Sequence, residues 1–72
     1  MTYTDMAHKI LNTYYYKGRK IHRVEDRWRQ VFVVIAGTGM WTDFGEWVGD
    51  WFVSLADAKR VINGQKPIWV PL

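Results

Sequence analysis

The clearest hydrophobic pattern in this chain lies near its C-terminal end, where apolar residues recur at helical spacing. The residues of this apolar face are Leu55, Ala58, Val61 and Ile62. Ser54 stands just before them, and its hydroxyl can accept a hydrogen bond from a backbone N–H of the first turn. Asn63-Gly64 follows and is typical of a left-handed helix stop. The pattern predicts a helix of about two to three turns, which needs a sheet to pack against because so short a helix is marginal alone.

Three segments have the alternation or the β-branched content that is typical of strands. They are Lys20–Glu25, Trp28–Ala36 and Glu46–Val53. The middle one is apolar throughout Val31–Ile35, as in a central strand that is covered on both faces. In the third, Gly49-Asp50 could instead be a tight turn that splits the strand. We therefore predict an α+β fold, a three-stranded antiparallel sheet with one C-terminal helix packed across it.

The two ends of the chain leave more than one structure open. Thr4-Asp5 can cap a short N-terminal helix, but the β-prone run Thr13–Tyr16 makes an extended arm a competing interpretation. After the C-terminal helix, Pro67 and Pro71 exclude a central strand. We expect this tail to return as an edge strand or to lie extended over the core, with Trp69 as its anchor.

The composition favours one small domain that is held together by apolar burial. The chain has 72 residues, no cysteine, and five Trp, four Tyr and three Phe. Without cysteine there is neither a disulfide nor a thiolate metal site. The sequence shows no leader pattern and no apolar run long enough to cross a bilayer, so we expect a cytoplasmic protein with no membrane partner.

Charge is distributed unevenly along the chain, although the formal net charge is only +3. Six basic residues lie within Lys17–Arg29, namely Lys17, Arg19, Lys20, Arg23, Arg27 and Arg29. Residues 30–57 then contain no basic residue, and they carry Asp43, Glu46, Asp50 and Asp57. This asymmetry predicts either a surface with two poles or an acidic segment that neutralises the basic one within the fold.

The sequence gives no sign of catalysis or of a cofactor. The histidines are His8 and His22, and neither is paired with an evident nucleophile, because the one serine is Ser54, the predicted helix cap. The carboxylates and histidines lack the spacing of a metal site. Gly37-Thr38-Gly39 is better explained as a turn than as a phosphate-binding loop, since no helix clearly follows it. We therefore expect a non-enzymatic protein without a cofactor.

The basic segment is the leading candidate for a binding site. Phosphate contacts need cations, and base stacking needs exposed aromatic rings. The basic segment, which we expect to form a hairpin, offers both. The candidate nucleic-acid-binding residues are Lys17, Arg19, Lys20, Arg23, Arg27, Trp28 and Arg29. Strand alternation would spread the basic residues over both faces, so a charged, solvated edge hairpin that resists aggregation is the alternative.

The order of a basic hairpin, a strand ending in Gly-Asp-Trp-Phe-Val and then Ser-Leu-Ala-Asp-Ala-Lys-Arg-Val-Ile resembles small phage and prophage proteins. Over Lys20–Asn63 the layout is similar to the βββα DNA-binding domains of the AP2 type and of integrase arm-binding domains. That resemblance implies a sheet that docks in the major groove through Arg and Trp side chains. Small phage proteins also include inhibitors of host defence, such as anti-CRISPR proteins, which often bind protein surfaces that normally hold nucleic acid.

The resemblance to phage inhibitors of host defence suggests an alternative partner, a host protein, which would bind the acidic and tryptophan-rich segment Trp41–Trp51. Its candidate binding residues are Trp41, Asp43, Phe44, Glu46, Trp47 and Asp50. Carboxylates would complement a surface lined with Lys and Arg, and a desolvated tryptophan would supply most of the affinity. The competing interpretation is that the rings belong to the core and the carboxylates are solvated.

Overall fold

An antiparallel sheet and one C-terminal helix form the fold in the computed structural model, which describes residues 9–68. The elements in chain order are β1 (Lys9–Tyr16), β2 (Arg19–Glu25), β3 (Val31–Ile35), β4 (Met40–Trp41), β5 (Trp47–Val48), β6 (Trp51–Phe52) and α1 (Leu55–Ile62). The main sheet has the order β1-β2-β3-β6, whereas β4 and β5 pair with each other as a separate ribbon. The predicted α+β class with a C-terminal helix is confirmed, but the sheet has four strands rather than three.

The additional strand comes from the N-terminal segment. Lys9–Tyr16 pairs with β2 antiparallel, so the helix interpretation is wrong for these residues, while Thr4-Asp5 lies outside the described residues. The turn that follows has φ angles of 50° at Lys17 and 75° at Gly18, as a two-residue hairpin turn of type I′ requires. The hairpin and the β-prone run Thr13–Tyr16 together favour the strand over the helix.

The predicted strand Trp28–Ala36 begins later than expected, at Val31, because a polar turn occupies its first positions. One carboxylate oxygen of Asp26 accepts hydrogen bonds from the backbone N–H groups of Trp28 and Gln30, each at 2.8 Å. Such a side chain satisfies backbone groups that would otherwise pair within a strand. The turn therefore holds Trp28 outside the sheet.

The predicted strand Glu46–Val53 is divided at Gly49-Asp50, which is the alternative that the sequence left open. Its first part, β5, belongs to the ribbon, and its second part, β6, pairs with β3 in the main sheet. The base of the ribbon is tightly closed: a Cβ atom on Gly39 would lie 2.3 Å from the carbonyl oxygen of Val48. Only a residue without a side chain fits there.

The helix covers one face of the main sheet. Ile21, Val33, Ile35 and Phe52 are buried on this face together with Ala58 of α1. The predicted apolar face of the helix is confirmed, since Leu55, Val61 and Ile62 also pack against this cluster.

The other face of the sheet is partly covered by the ribbon. Val24 and Val34 are almost fully buried there, although neither belongs to the cluster under the helix. Strand register places Val24 opposite Phe32 and Val34 opposite Trp51, so the four side chains share this face. The Phe32 ring in turn contacts Trp41 of the ribbon, with 6.2 Å between ring centroids.

Both predicted ends of α1 are confirmed. The Ser54 hydroxyl accepts a hydrogen bond of 3.2 Å from the backbone N–H of Asp57. At the other end the N–H of Gly64 donates to the Val61 carbonyl and the N–H of Gln65 to the Arg60 carbonyl, the pattern of a Schellman stop.

The segment after the helix turns back towards the helix start. The N–H of Ile68 donates a hydrogen bond of 3.0 Å to the buried carboxylate of Asp57. Residues 64–68 contain no strand, and the predicted anchor Trp69 lies outside the described residues.

Candidate binding sites at two ends of the sheet

The basic segment Lys17–Arg29 does not form one surface. It contains the whole of β2, so its two turns lie at opposite ends of that strand. Seven residues in a strand span about 20 Å. The predicted nucleic-acid-binding residues are therefore divided between two ends of the sheet, and each end has its own neighbours.

We call the first of these the cationic end, formed by Lys17, Arg19 and Lys20 of the β1–β2 hairpin and Lys59 of α1. The ammonium nitrogens of Lys17 and Lys59 lie 5.6 Å and 5.2 Å from the centroid of the Tyr16 ring. Asn63 holds the hairpin against the helix, because its Nδ2 donates to the Tyr16 hydroxyl at 2.9 Å and its Oδ1 accepts from Lys17 Nζ.

The other two hairpin members of the cationic end, Arg19 and Lys20, lie on opposite faces of the sheet. Arg19 is paired with Tyr16 in the strand register and shares its face, whereas Lys20 is paired with Tyr15 on the opposite face. Tyr15 is 73% exposed. Arg23 lies further along β2, with its Nη1 3.5 Å from the side-chain oxygen of Asn12. The predicted spread of basic residues over both faces is confirmed.

Within residues 9–68, no carboxylate forms an ion pair with any cation of the cationic end. The carboxylates nearest in sequence to the hairpin cations, Glu25 and Asp26, are at the far end of β2. Asp57, two residues before Lys59, is buried and accepts a hydrogen bond from the N–H of Ile68. Within residues 9–68 the acidic segment therefore forms no ion pair with this cluster, and the two-pole surface stays a prediction. Lys59 was not among the predicted site residues, because only helix packing brings it beside the hairpin.

The second end contains a pocket of about 290 Å³, which we call the aromatic pocket. Its lining residues are Asp26, Arg27, Trp28, Gln30, Val31, Phe32, Trp41, Gly45, Glu46, Trp47 and Trp51. Arg27 and Trp28 come from the predicted basic site, and Trp41, Glu46 and Trp47 from the predicted acidic site. The folded chain thus brings together residues from two candidate binding sites that the sequence presented as alternatives.

Four rings form the walls of the aromatic pocket. Trp41 and Trp47 meet edge to face at 5.2 Å and 61°, and Phe32 and Trp51 meet at 5.5 Å and 60°. The Trp47 indole N–H donates to the backbone carbonyl of Asp50 at 2.9 Å, which fixes the ring. These contacts hold the walls in defined orientations, as edge-to-face pairs do elsewhere.

The rim of the aromatic pocket carries the charged groups and one exposed ring. Trp28 is 69% exposed, and the guanidinium carbon of Arg27 lies 4.9 Å from its ring centroid. Arg27 Nη1 also donates a hydrogen bond of 2.8 Å to the Phe44 carbonyl. The predicted residues Arg29, Asp43, Phe44 and Asp50 are exposed and do not line the pocket.

Other chemistry finds little support in the described part of the chain. His22 Nδ1 is 3.0 Å from the Thr13 hydroxyl, and residues 9–68 contain no cluster of three or more potential metal ligands. The Gly37-Thr38-Gly39 segment is a turn between β3 and β4, as predicted. Nor does the described structure include a helix of the length and apolar character needed to cross a membrane.

Comparisons with family models, with curated protein sequences and with solved structures return no match for this chain. The resemblance to phage proteins and to AP2-type or integrase arm-binding domains therefore stays a prediction. Geometry and electrostatics are the basis for assigning function to the two ends.

Proposed function

We propose that this protein is a non-enzymatic nucleic-acid-binding protein that contacts phosphates through its cationic end. The observation that carries the proposal is the position of Lys17 and Lys59. They belong to elements that are distant in sequence, yet their ammonium groups lie over the same Tyr16 ring, and neither has a carboxylate partner among residues 9–68.

Two ammonium groups at one ring, with no carboxylate partner among residues 9–68, leave positive charge that a bound anion can compensate. Phosphate groups supply such an anion at regular spacing, and the counterions that they release add to the affinity. Arg19 and Lys20 lie on either face of the same hairpin end, so a phosphate chain can follow the turn. This arrangement supports contacts to several successive phosphates.

An exposed ring beside the cations supports a single-stranded ligand over a duplex. Tyr15 lies opposite Lys20 in the register and most of its surface is exposed. A base can stack on such a ring while the neighbouring lysine contacts its phosphate, with little dependence on sequence. Compared with the sequence-based site, this interface gains Lys59 and loses Arg23, which lies further along β2, and Arg27, Trp28 and Arg29, which lie at the other end.

Fluorescence anisotropy with labelled single-stranded and duplex oligonucleotides at low salt tests the proposal. The informative variant is Lys20→Gln/Lys59→Gln, which removes two charges from the cationic end. The matched control is Lys9→Gln/Arg29→Gln, which removes two charges from exposed positions outside it. We expect the first variant to bind about tenfold more weakly or worse, and the control to bind nearly as the unmodified chain does.

Two results would contradict the proposal. One is equal loss of affinity in the two variants, which would show that net charge alone matters. The other is no detectable binding of either oligonucleotide by the unmodified protein at low salt.

A further inference from the structure

We propose that the aromatic pocket binds an alkylammonium group, presented as a lysine side chain by a partner protein. The site is independent of the nucleic-acid interface, because the two lie at opposite ends of β2. Three features support a cationic occupant: the arrangement of the rings, the charges at the rim and the size of the space.

The first feature is the arrangement of the aromatic rings. A π-face carries negative electrostatic potential and a ring edge carries positive potential, so a cation is attracted to a space bounded by several ring faces. Trp41 stands at 61° to Trp47, and Phe32 stands at 60° to Trp51. Rings at such angles face in different directions, so a compact group in the pocket can meet more than one of them.

The charges of the residues that line the pocket also favour a cationic occupant. Among the described residues that line the pocket, Asp26 and Glu46 are acidic and Arg27 is basic. The Arg27 guanidinium lies over Trp28 and donates to the Phe44 carbonyl, and it keeps its charge, so two carboxylates against one guanidinium leave the lining with a net negative charge of one. The Glu46 side chain is exposed and has no ion-pair partner within residues 9–68, so its carboxylate can face an incoming ammonium group.

The size and the surroundings identify the source of the cation. A volume of about 290 Å³ accommodates the end of one side chain rather than a chain segment. Asp43, two residues after the lining residue Trp41, and Asp50, directly before the lining residue Trp51, are exposed and add negative charge to the same segment of the chain. A nucleotide would bring its phosphate into this acidic surface, whereas a basic protein surface complements it.

Titrations that follow tryptophan fluorescence and the indole N–H signals in NMR spectra test the proposal. The probes are the N-acetyl amides of lysine and of Nε-trimethyllysine, together with the uncharged isostere in which a tert-butyl group replaces trimethylammonium. We expect at least one cationic probe to bind and the isostere to bind about tenfold more weakly. Which of the two cations binds more tightly tells whether the partner lysine is methylated.

A pair of variants assigns the effect to the pocket. Glu46→Gln removes a lining carboxylate, whereas Asp43→Asn removes an exposed carboxylate that does not line the pocket. We expect the first to weaken the cationic probe several-fold more than the second. Equal binding of the isostere, tighter binding of nucleoside monophosphates, or no binding of either cation would each overturn the proposal.

Discussion

The guanidinium of Arg27 donates a hydrogen bond to the backbone carbonyl of Phe44, with 2.8 Å between Nη1 and the oxygen. This contact joins the turn after β2 to the loop of the ribbon. The two segments differ in charge, and the charge pattern along the sequence predicts two alternative binding sites, one basic and one acidic. In the folded chain the same arginine stacks on Trp28 and helps to build the rim of the aromatic pocket.

Replacing Arg27 by Gln should loosen the ribbon. We expect the free energy of unfolding to fall by about 1 kcal/mol, because a charge-assisted hydrogen bond and a cation–π contact are lost at an exposed position. Denaturant melts followed by tryptophan fluorescence measure the change. Arg29→Gln is the control, with an expected change within about 0.5 kcal/mol. Equal stability of the two variants would show that the Arg27 contact contributes nothing.

Ser54→Ala should destabilise the fold by about 1 kcal/mol, because the N–H of Asp57 loses its acceptor at the helix start. Ser54→Asp supplies another acceptor and should retain most of the stability. Urea melts of the two variants give the comparison. If the alanine variant melts as the unmodified protein does, the cap has no energetic role.

Leu55→Ala tests the contact between the helix and the sheet. Leu55 packs against the core but is only half-buried, so we expect a loss of about 2 kcal/mol, at the lower end of the range for buried leucines. Ala56→Gly, at an exposed helical position, should cost about 1 kcal/mol through backbone entropy alone. A smaller loss for Leu55→Ala than for this control would contradict the packing.

Gly39→Ala should disrupt the ribbon, since the new Cβ would lie 2.3 Å from the Val48 carbonyl oxygen. We expect a loss of at least about 2 kcal/mol and a change in the near-ultraviolet circular dichroism of the tryptophans. Gly64→Ala provides the comparison, because its Cβ meets no atom within 4 Å and only its φ of +79° is unfavourable. That variant should cost about 1 kcal/mol and leave the tryptophan signal unchanged.

The salt dependence of oligonucleotide binding should report the number of phosphate contacts at the cationic end. For Lys20→Gln and Lys59→Gln singly, we expect the slope of log K against log salt to fall by about one unit each. Arg29→Gln should leave the slope unchanged, because Arg29 lies at the other end of β2. Anisotropy titrations at several salt concentrations give the slopes. A slope that is the same in all three variants would place the phosphates elsewhere.

Local signals in the sequence were sufficient for the helix and for the fold class. The cap at Ser54, the stop at Asn63-Gly64 and the apolar face are properties of neighbouring residues, so they can be read without knowledge of the fold. The same holds for the apolar strand β3 and for the turn at Lys17-Gly18. These features depend on hydrogen bonds and backbone angles within a few residues.

Only the tertiary structure determined the role of the N-terminal segment and the composition of the two ends. Pairing with β2 made Lys9–Tyr16 a strand, and packing of α1 placed Lys59 beside Tyr16. The break at Gly49-Asp50 moved Trp47 into the ribbon and Trp51 into the main sheet, where their rings line one pocket. Each of these outcomes depends on contacts between residues far apart in the chain, and a charge or periodicity pattern contains no information about which distant residues will meet.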